Sequence, residues 1–371
     1  NYGLYNSSQN FRLTNGTVYG IYNSGSMIID EESKVTYGTL SDEFNNNNGD
    51  ARYFYGAIYN TGTVTMEGGE ITSTASRKMI QNKGTFNYNG GYIFSEHTAV
   101  YNEGTFNANS SKIESTRTAI KNYYGTVNLN GSEVRSATSN TITGDYGTII
   151  MNDGLIWSEV GIAINDSSVT VNGGNVYGNN KAIVANNFKM TDGAVSGENV
   201  GVDSKSASIS GGMIAARESG VITNTLNMTG GTVVSENMTA ITVNSSGTIK
   251  SGEIHAGMYG VLSKGTLTIG TNDGTISENA PVIIGDSYGV YITGTATDFY
   301  DGILKGQVDG YYGTITGTPS GSILAEGTET ITVDNEDGTT EEKIYQTDFI
   351  GEYENWLKVG EEEFNSIDKA M

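Results

Sequence analysis

The sequence predicts an all-β chain built as a right-handed parallel β-helix: a solenoid of about fourteen coils of about twenty residues, three short strands to a coil, followed by a small C-terminal β cap or linker. Three observations predict it. An Ala/Gly-Ile/Val-x-Asn-like anchor returns at close to twenty residues, three short alternating stretches fall within each period, and a pair of small turn residues recurs between the second and third stretch. The hand follows that of parallel crossovers in general.

The anchor residues are Leu4, Ile21, Ile58, Ile80, Val100, Ile120, Ile142, Ile164, Ile183, Val202, Val221, Ile241, Val261 and Val290. Two longer gaps interrupt them, one between Ile21 and Ile58 and one before Val290; the first contains Asn45 to Asn48 and reads as a looped-out turn. Ile58-Tyr59-Asn60, Val64-Thr65-Met66 and Ile71-Thr72-Ser73 show the three strand-sized segments of one coil, with Gly68-Gly69 between the last two. The small pair recurs as Gly90-Gly91, Ser110-Ser111, Gly131-Ser132, Asp153-Gly154, Gly173-Gly174 and onward to Asp273-Gly274, as a corner repeated in every coil requires. Alternation points Val64, Met66, Phe86, Tyr88, Val127, Leu129, Val169, Val171, Phe188, Met190, Leu226 and Met228 inward, and Thr65, Asn87, Asn128, Thr170, Lys189 and Asn227 outward. A single coil cannot bury its apolar residues, but coils stacked at about 4.8 Å share a continuous core. The period argues against a propeller, the structural rival, since its blades need roughly 40 to 50 residues.

Composition agrees. Gly 51 and Tyr 23 against Pro 2 and 17% charged residues suit strands joined by tight turns, and 36% hydrophobic residues supply a core that a disordered chain lacks. A formal net charge of -22 repels phosphate backbones, so nucleic acid is not an expected partner. No apolar run reaches the roughly 20 residues that span a bilayer. Cys 0 removes disulfides, thiolate metal sites and cysteine nucleophiles. The chain opens at Asn1 without a signal-like segment and reads as a fragment of a longer protein.

The β-helix is expected to cover residues 1–318. An acidic cap or linker over 319–356 holds a hairpin, with Asp334-Asn335-Glu336-Asp337-Gly338 turning between Ile331-Thr332-Val333 and Ile344-Tyr345, and a following β-helix unit is expected to begin over 357–371.

Phe299-Tyr300-Asp301-Gly302-Ile303-Leu304-Lys305-Gly306, then Gly313-Thr314-Ile315, resembles the close of β-helix units in large surface proteins of gut-dwelling Gram-positive bacteria, and the Ala-Ile-Tyr-Asn-x-Gly-Thr repeat resembles theirs. The repeat carries this likeness over most of the chain. Phe364 to Ala370 is similar to the short opening helix of many pectate-lyase-like β-helix domains. The resemblance implies a right-handed hand, an extracellular array of such units at the cell surface or secreted, and an adhesin-like role.

Each candidate site also admits a plain structural role. Asn6, Asn23, Asn60, Asn82, Asn102 and Asn122 hold one corner position and suit an inward ladder bonding coil to coil. Tyr5, Tyr22, Tyr59 and Tyr101 form an outward stripe broken by Gln81, either a stacking ladder or a surface for the apolar face of a sugar. Phe94, Trp157 and Tyr177 share an outward position on the third strand with Glu114 and Arg135 and are a second contact candidate. Glu198, Arg217 and Glu236 fall on consecutive coils, placing two carboxylates about 9.6 Å apart, near the upper limit for an inverting glycosidase, although acid–base–acid on adjacent rungs equally describes a surface salt-bridge ladder. His97 and His255 lie about eight coils apart, and no aspartate cluster matches the catalytic motifs of polygalacturonase-like or pectate-lyase-like enzymes. No motif calls for a metal or cofactor.

The expected function is a non-catalytic stalk and recognition surface whose partners are a host or bacterial glycan or surface protein and neighbouring units of the same parent chain, without membrane insertion. The alternatives are a polysaccharide lyase or glycoside hydrolase of the pectate-lyase-like class, and a passive spacer.

Overall fold

A computed structural model describes residues 3–40, 54–73, 78–273, 277, 279–318, 322–334, 339–352, 358–359 and 362–363. It is an all-β parallel solenoid of about fourteen turns, with no helix among the described residues. The chain divides into two compact units, Asn1–Phe188 with Gly193–Ser196, and Lys189–Asp192 with Gly197–Met371.

In the first unit the anchors stack in one parallel register: Leu4 on Ile21, then Ile58, Ile80, Val100, Ile120, Ile142 and Ile164. From Ile21 onward each is sealed from solvent. Burying such a side chain contributes roughly 1.5–3 kcal/mol, so each twenty-residue period that returns one Ile or Val to this row adds one such increment to a continuous core. The alternation of the second strand holds as expected: Val64, Met66, Phe86, Tyr88, Val127 and Leu129 are buried, whereas Thr65, Asn87 and Asn128 face outward. On that outer face the carboxamides form two ladders of their own. Asn107 Nδ2 donates to Asn87 and Asn128 Nδ2 to Asn107, each at 2.7 Å; a second row links Asn89, Asn109, Asn130, Asn152 and Asn172.

The small pairs make the predicted corner. Gly69, Gly91, Gly131, Gly154 and Gly174 all take positive φ, and Ser110 does the same at φ 48°. At Gly91 a Cβ would drive into the carbonyl oxygen of Gly69 in the coil below, so no larger residue fits without moving that rung.

The long gap after Ile21 leaves and re-enters the solenoid through a short antiparallel pair, Gly38–Leu40 with Phe54–Gly56. Asn45 to Asn48 lie outside the described residues.

In the second unit the anchor register resumes as Val202, Val221, Ile241, Val261 and Val290, all buried. Here single strands run through the corners, as in Val200–Ile209, Ser219–Ser235 and Thr239–Ala256. The gap before Val290 falls between Thr266–Ile269 and Val282–Gly285; the Asp301 carboxylate braces it, accepting the Ser277 amide at 2.6 Å. Parallel pairing continues to Ile315–Thr316. The hairpin Ser322–Asp334 with Thr340–Glu352 then turns its second arm onto the last coil, pairing antiparallel from Phe349 on Ile303 to Gln346 on Gly306. The exposed edge of that strand is thereby closed. Residues 364–370 lie outside the described residues.

Candidate recognition surface

The side chains singled out in the first unit sit on a rigid inner spine. Asn6 Nδ2 donates to Asn23 Oδ1 at 2.7 Å, and the chain continues through Asn60, Asn82, Asn102 and Asn122 at 2.8–2.9 Å per step. Each amide also bonds carbonyls of its own corner and the next coil's; Asn60 reaches Gly62 O and Thr85 O. These residues are buried, so the spine satisfies corner groups that would otherwise be desolvated without partners.

Outward from this spine lies the tyrosine stripe. Tyr5 and Tyr22 are 6.0 Å apart, and Tyr22 and Tyr59 stack at 5.5 Å and 13°. Gln81 ends the stack and bonds Glu103 instead. Tyr101 is not part of it: the Lys78 ammonium covers its ring at 3.5 Å from the centroid and Lys121 approaches at 6.0 Å. Tyr59 therefore belongs to an aromatic stack and Tyr101 to a cation–π contact, so each ring already has a partner on a face.

The third strand presents a different set. Phe94, Glu114, Arg135, Trp157 and Tyr177 follow one another in register on consecutive coils. Trp157 and Tyr177 stack at 4.1 Å, the Arg135 guanidinium stands 5.8 Å from the Trp157 ring, and Glu133 pairs with Arg135. Phe94 stacks on Tyr92, whose hydroxyl donates to Glu114 at 2.7 Å. Burial, then this bond to Glu114, pushes the Tyr92 phenol up to about 12. Arg135 and Glu114 thus lie between Phe94 and the Trp157–Tyr177 pair, and all three rings are part-exposed.

In the second unit Arg217 lies between Glu198 and Glu236, 3.5 Å from a carboxylate oxygen of each. All three side chains are well exposed, and one guanidinium is shared by both carboxylates. The geometry is that of a surface ion-pair ladder. Among the described residues no group of three His, Asp or Glu could hold a metal, and no helix is long and apolar enough to cross a membrane.

Two aromatic groups escaped the sequence reading. Tyr123, Tyr124 and Tyr146 cluster at the first corner of two adjacent coils. Tyr259, Tyr291 and Tyr312 stack at 4.5 and 4.6 Å near the cap, with Tyr288 edge-on to Tyr312. The first was visible as one extra residue before Gly125 and before Gly147; the second needed the register across the long gap.

No family model, curated protein or solved structure matches the chain.

Proposed function

We propose that the chain is a non-catalytic recognition module of an extracellular surface protein, adhesin-like in role, that presents an aromatic platform to a glycan or protein on a host or neighbouring cell. The observation that carries this reading is the stacked Trp157–Tyr177 pair flanked by Arg135 on the outer face of a stiff coil stack. Stacked rings offer a flat apolar seat, and a guanidinium beside them supplies donors in a fixed fork. The solenoid holds these groups on strands rather than loops, so little ordering entropy opposes binding. Against the polysaccharide-cleaving alternative stands the geometry of Glu198 and Glu236, both exposed and both turned onto the one arginine between them, as in a surface ion-pair ladder.

A glycan array on the whole chain tests the reading, with Trp157→Ala and Tyr59→Ala/Tyr101→Ala variants printed beside it and polysaccharide cleavage assayed in the same wells. Selective binding lost in Trp157→Ala and kept in the tyrosine variant is expected. A blank array without cleavage would leave the passive spacer, and cleavage abolished by Glu198→Gln would replace recognition with catalysis.

A further inference from the structure

Two adjacent coils of the first unit break the corner rule of their neighbours. In Asn60-Thr61-Gly62, Asn82-Lys83-Gly84 and Asn102-Glu103-Gly104 one residue separates the ladder position from the corner glycine, whereas Asn122-Tyr123-Tyr124-Gly125 and Gly144-Asp145-Tyr146-Gly147 carry two. The second strands stay in register on both sides, Thr105 on Thr126 on Thr148 on Ser168, so the extra residue is pushed outward and the solenoid does not need it. Both inserted residues are tyrosines in the left-handed region, at φ 56° and 60°. A side chain is uncommon there, and glycine would sit without strain. Their rings stack at 4.9 Å and 13°, with Tyr123 edge-on to Tyr124 at 4.6 Å, and at 60% and 69% exposure they are the most exposed aromatics among the described residues.

The interior is rebuilt behind this corner. Gly144 occupies the ladder position and leaves a missing rung. Asp166 spans it, accepting Asn122 Nδ2 at 2.8 Å and the Gly147 amide at 3.0 Å. A Cβ at Gly144 would meet the Asp166 carboxylate, and one at Gly147 would meet the Asn122 amide. The ring stack is open at one end. In the next coil Ser167 stands where a third ring would follow, with its hydroxyl accepting the Tyr146 amide at 2.8 Å and Asn186 Nδ2 at 3.4 Å.

We propose that this corner is a carbohydrate-binding site, in which one pyranose ring lies on the open face of Tyr146 and extends the stack by one level. A step about one coil, roughly 4.8 Å, deep suits a ring laid flat. Its wall is aromatic and its rim is hydroxyl and carboxamide, from Ser167 and Asn186, which matches a sugar's C–H face and hydroxyl edge better than an aliphatic protein side chain. The proposal rests on the recognition reading above but assigns a site separate from the Trp157 platform.

The test titrates the whole chain with cellohexaose, chitohexaose and mannohexaose by calorimetry, beside Tyr146→Gly and Trp157→Ala variants. Glycine suits φ 60°, so Tyr146→Gly is expected to melt no earlier than the parent while affinity for at least one hexasaccharide falls about tenfold or more. That loss supports the corner site whatever Trp157→Ala does. Affinity unchanged in Tyr146→Gly and lost in Trp157→Ala overturns the corner and keeps the platform. No binding of any hexasaccharide to the parent chain overturns the corner and removes glycan recognition with it. An early-melting Tyr146→Gly chain that loses ligand only by unfolding makes Tyr146 a structural residue, and the proposal fails.

Discussion

The two units solve the same corner differently. In the first, the position two residues after the anchor is an asparagine in six coils, and in five of them the strand stops there: Leu4–Asn6, Ile21–Asn23, Ile58–Asn60, Lys78–Asn82 and Thr98–Asn102. In the second, the equivalent residues are Ser204, Thr223, Val243, Ser263 and Ile292; three strands run straight through, Val200–Ile209, Ser219–Ser235 and Thr239–Ala256, while Tyr259–Ser263 and Tyr288–Ile292 stop at this position. An inward carboxamide offers two N–H donors and a carbonyl acceptor to corner backbone that has left the ladder, whereas a hydroxyl offers a single donor and a methyl group none, so in the three run-through coils the backbone keeps its bonds within the sheet. Thr223 illustrates the smaller reach: it bonds Thr225 O at 2.9 Å and receives Ser204 at 3.3 Å. What is gained in the first unit is a corner free to change its residues, and the inserted tyrosines appear in that unit.

Replacing one ladder amide should break this contrast most visibly. Asn82→Leu strands the Asn60 donor and the Asn102 acceptor in the interior along with the Gly84 and Thr105 carbonyls, and an expected loss of about 3 kcal/mol or more is to be read from guanidinium denaturation. The cap responds to acid in a way the Asn spine does not. Burial first, then the carboxylates of Asp309 and Glu326, push the Asp348 carboxyl up to about 7. The nearby cap lysines are engaged elsewhere, Lys305 with Glu329 and Lys343 with Asp286. The native state therefore holds a proton that the unfolded chain releases near 4. Stability of the second unit should fall as pH rises from about 4 to about 7, by an amount on the order of 3 kcal/mol, and level off above, with the slope gone in Asp348→Asn when melting is followed across that range. A smaller effect is expected at the second unit's corner, where Thr223→Val should cost about 1 kcal/mol in the same denaturation experiment, since the sheet there satisfies its own backbone. Least of all, Arg217→Ala should change stability by less than about 1 kcal/mol, as an exposed ion pair does; a loss as large as that of Asn82→Leu would mean the exposed ladder is structural after all.

The register of Ile58, Ile80 and Val100 and the corner at Gly90-Gly91 were legible because both follow from local rules: a period that returns an apolar residue to one face, and a backbone conformation that a particular residue type favours. The Asn spine was legible for the same reason, up to the coil where its pattern lapses. The platform of Trp157 and Tyr177 was legible as a row, but the placement of Arg135 against it was not, because a long side chain chooses among neighbours that only the assembled sheet defines.

By itself, then, the sequence determined the solenoid, its period, its inward and outward faces and the positions of its corners, since each coil repeats a short-range rule. Tertiary structure decided what depends on side chains meeting across coils: that Lys78 covers Tyr101, that Asp166 reaches past Gly144 to Asn122, and that the hairpin pairs Gln346–Phe349 antiparallel with Ile303–Gly306. In each case the partner lies a whole coil or more away along the chain, where stacking alone sets which groups touch and which carboxylates, like Asp348, are shut away from water.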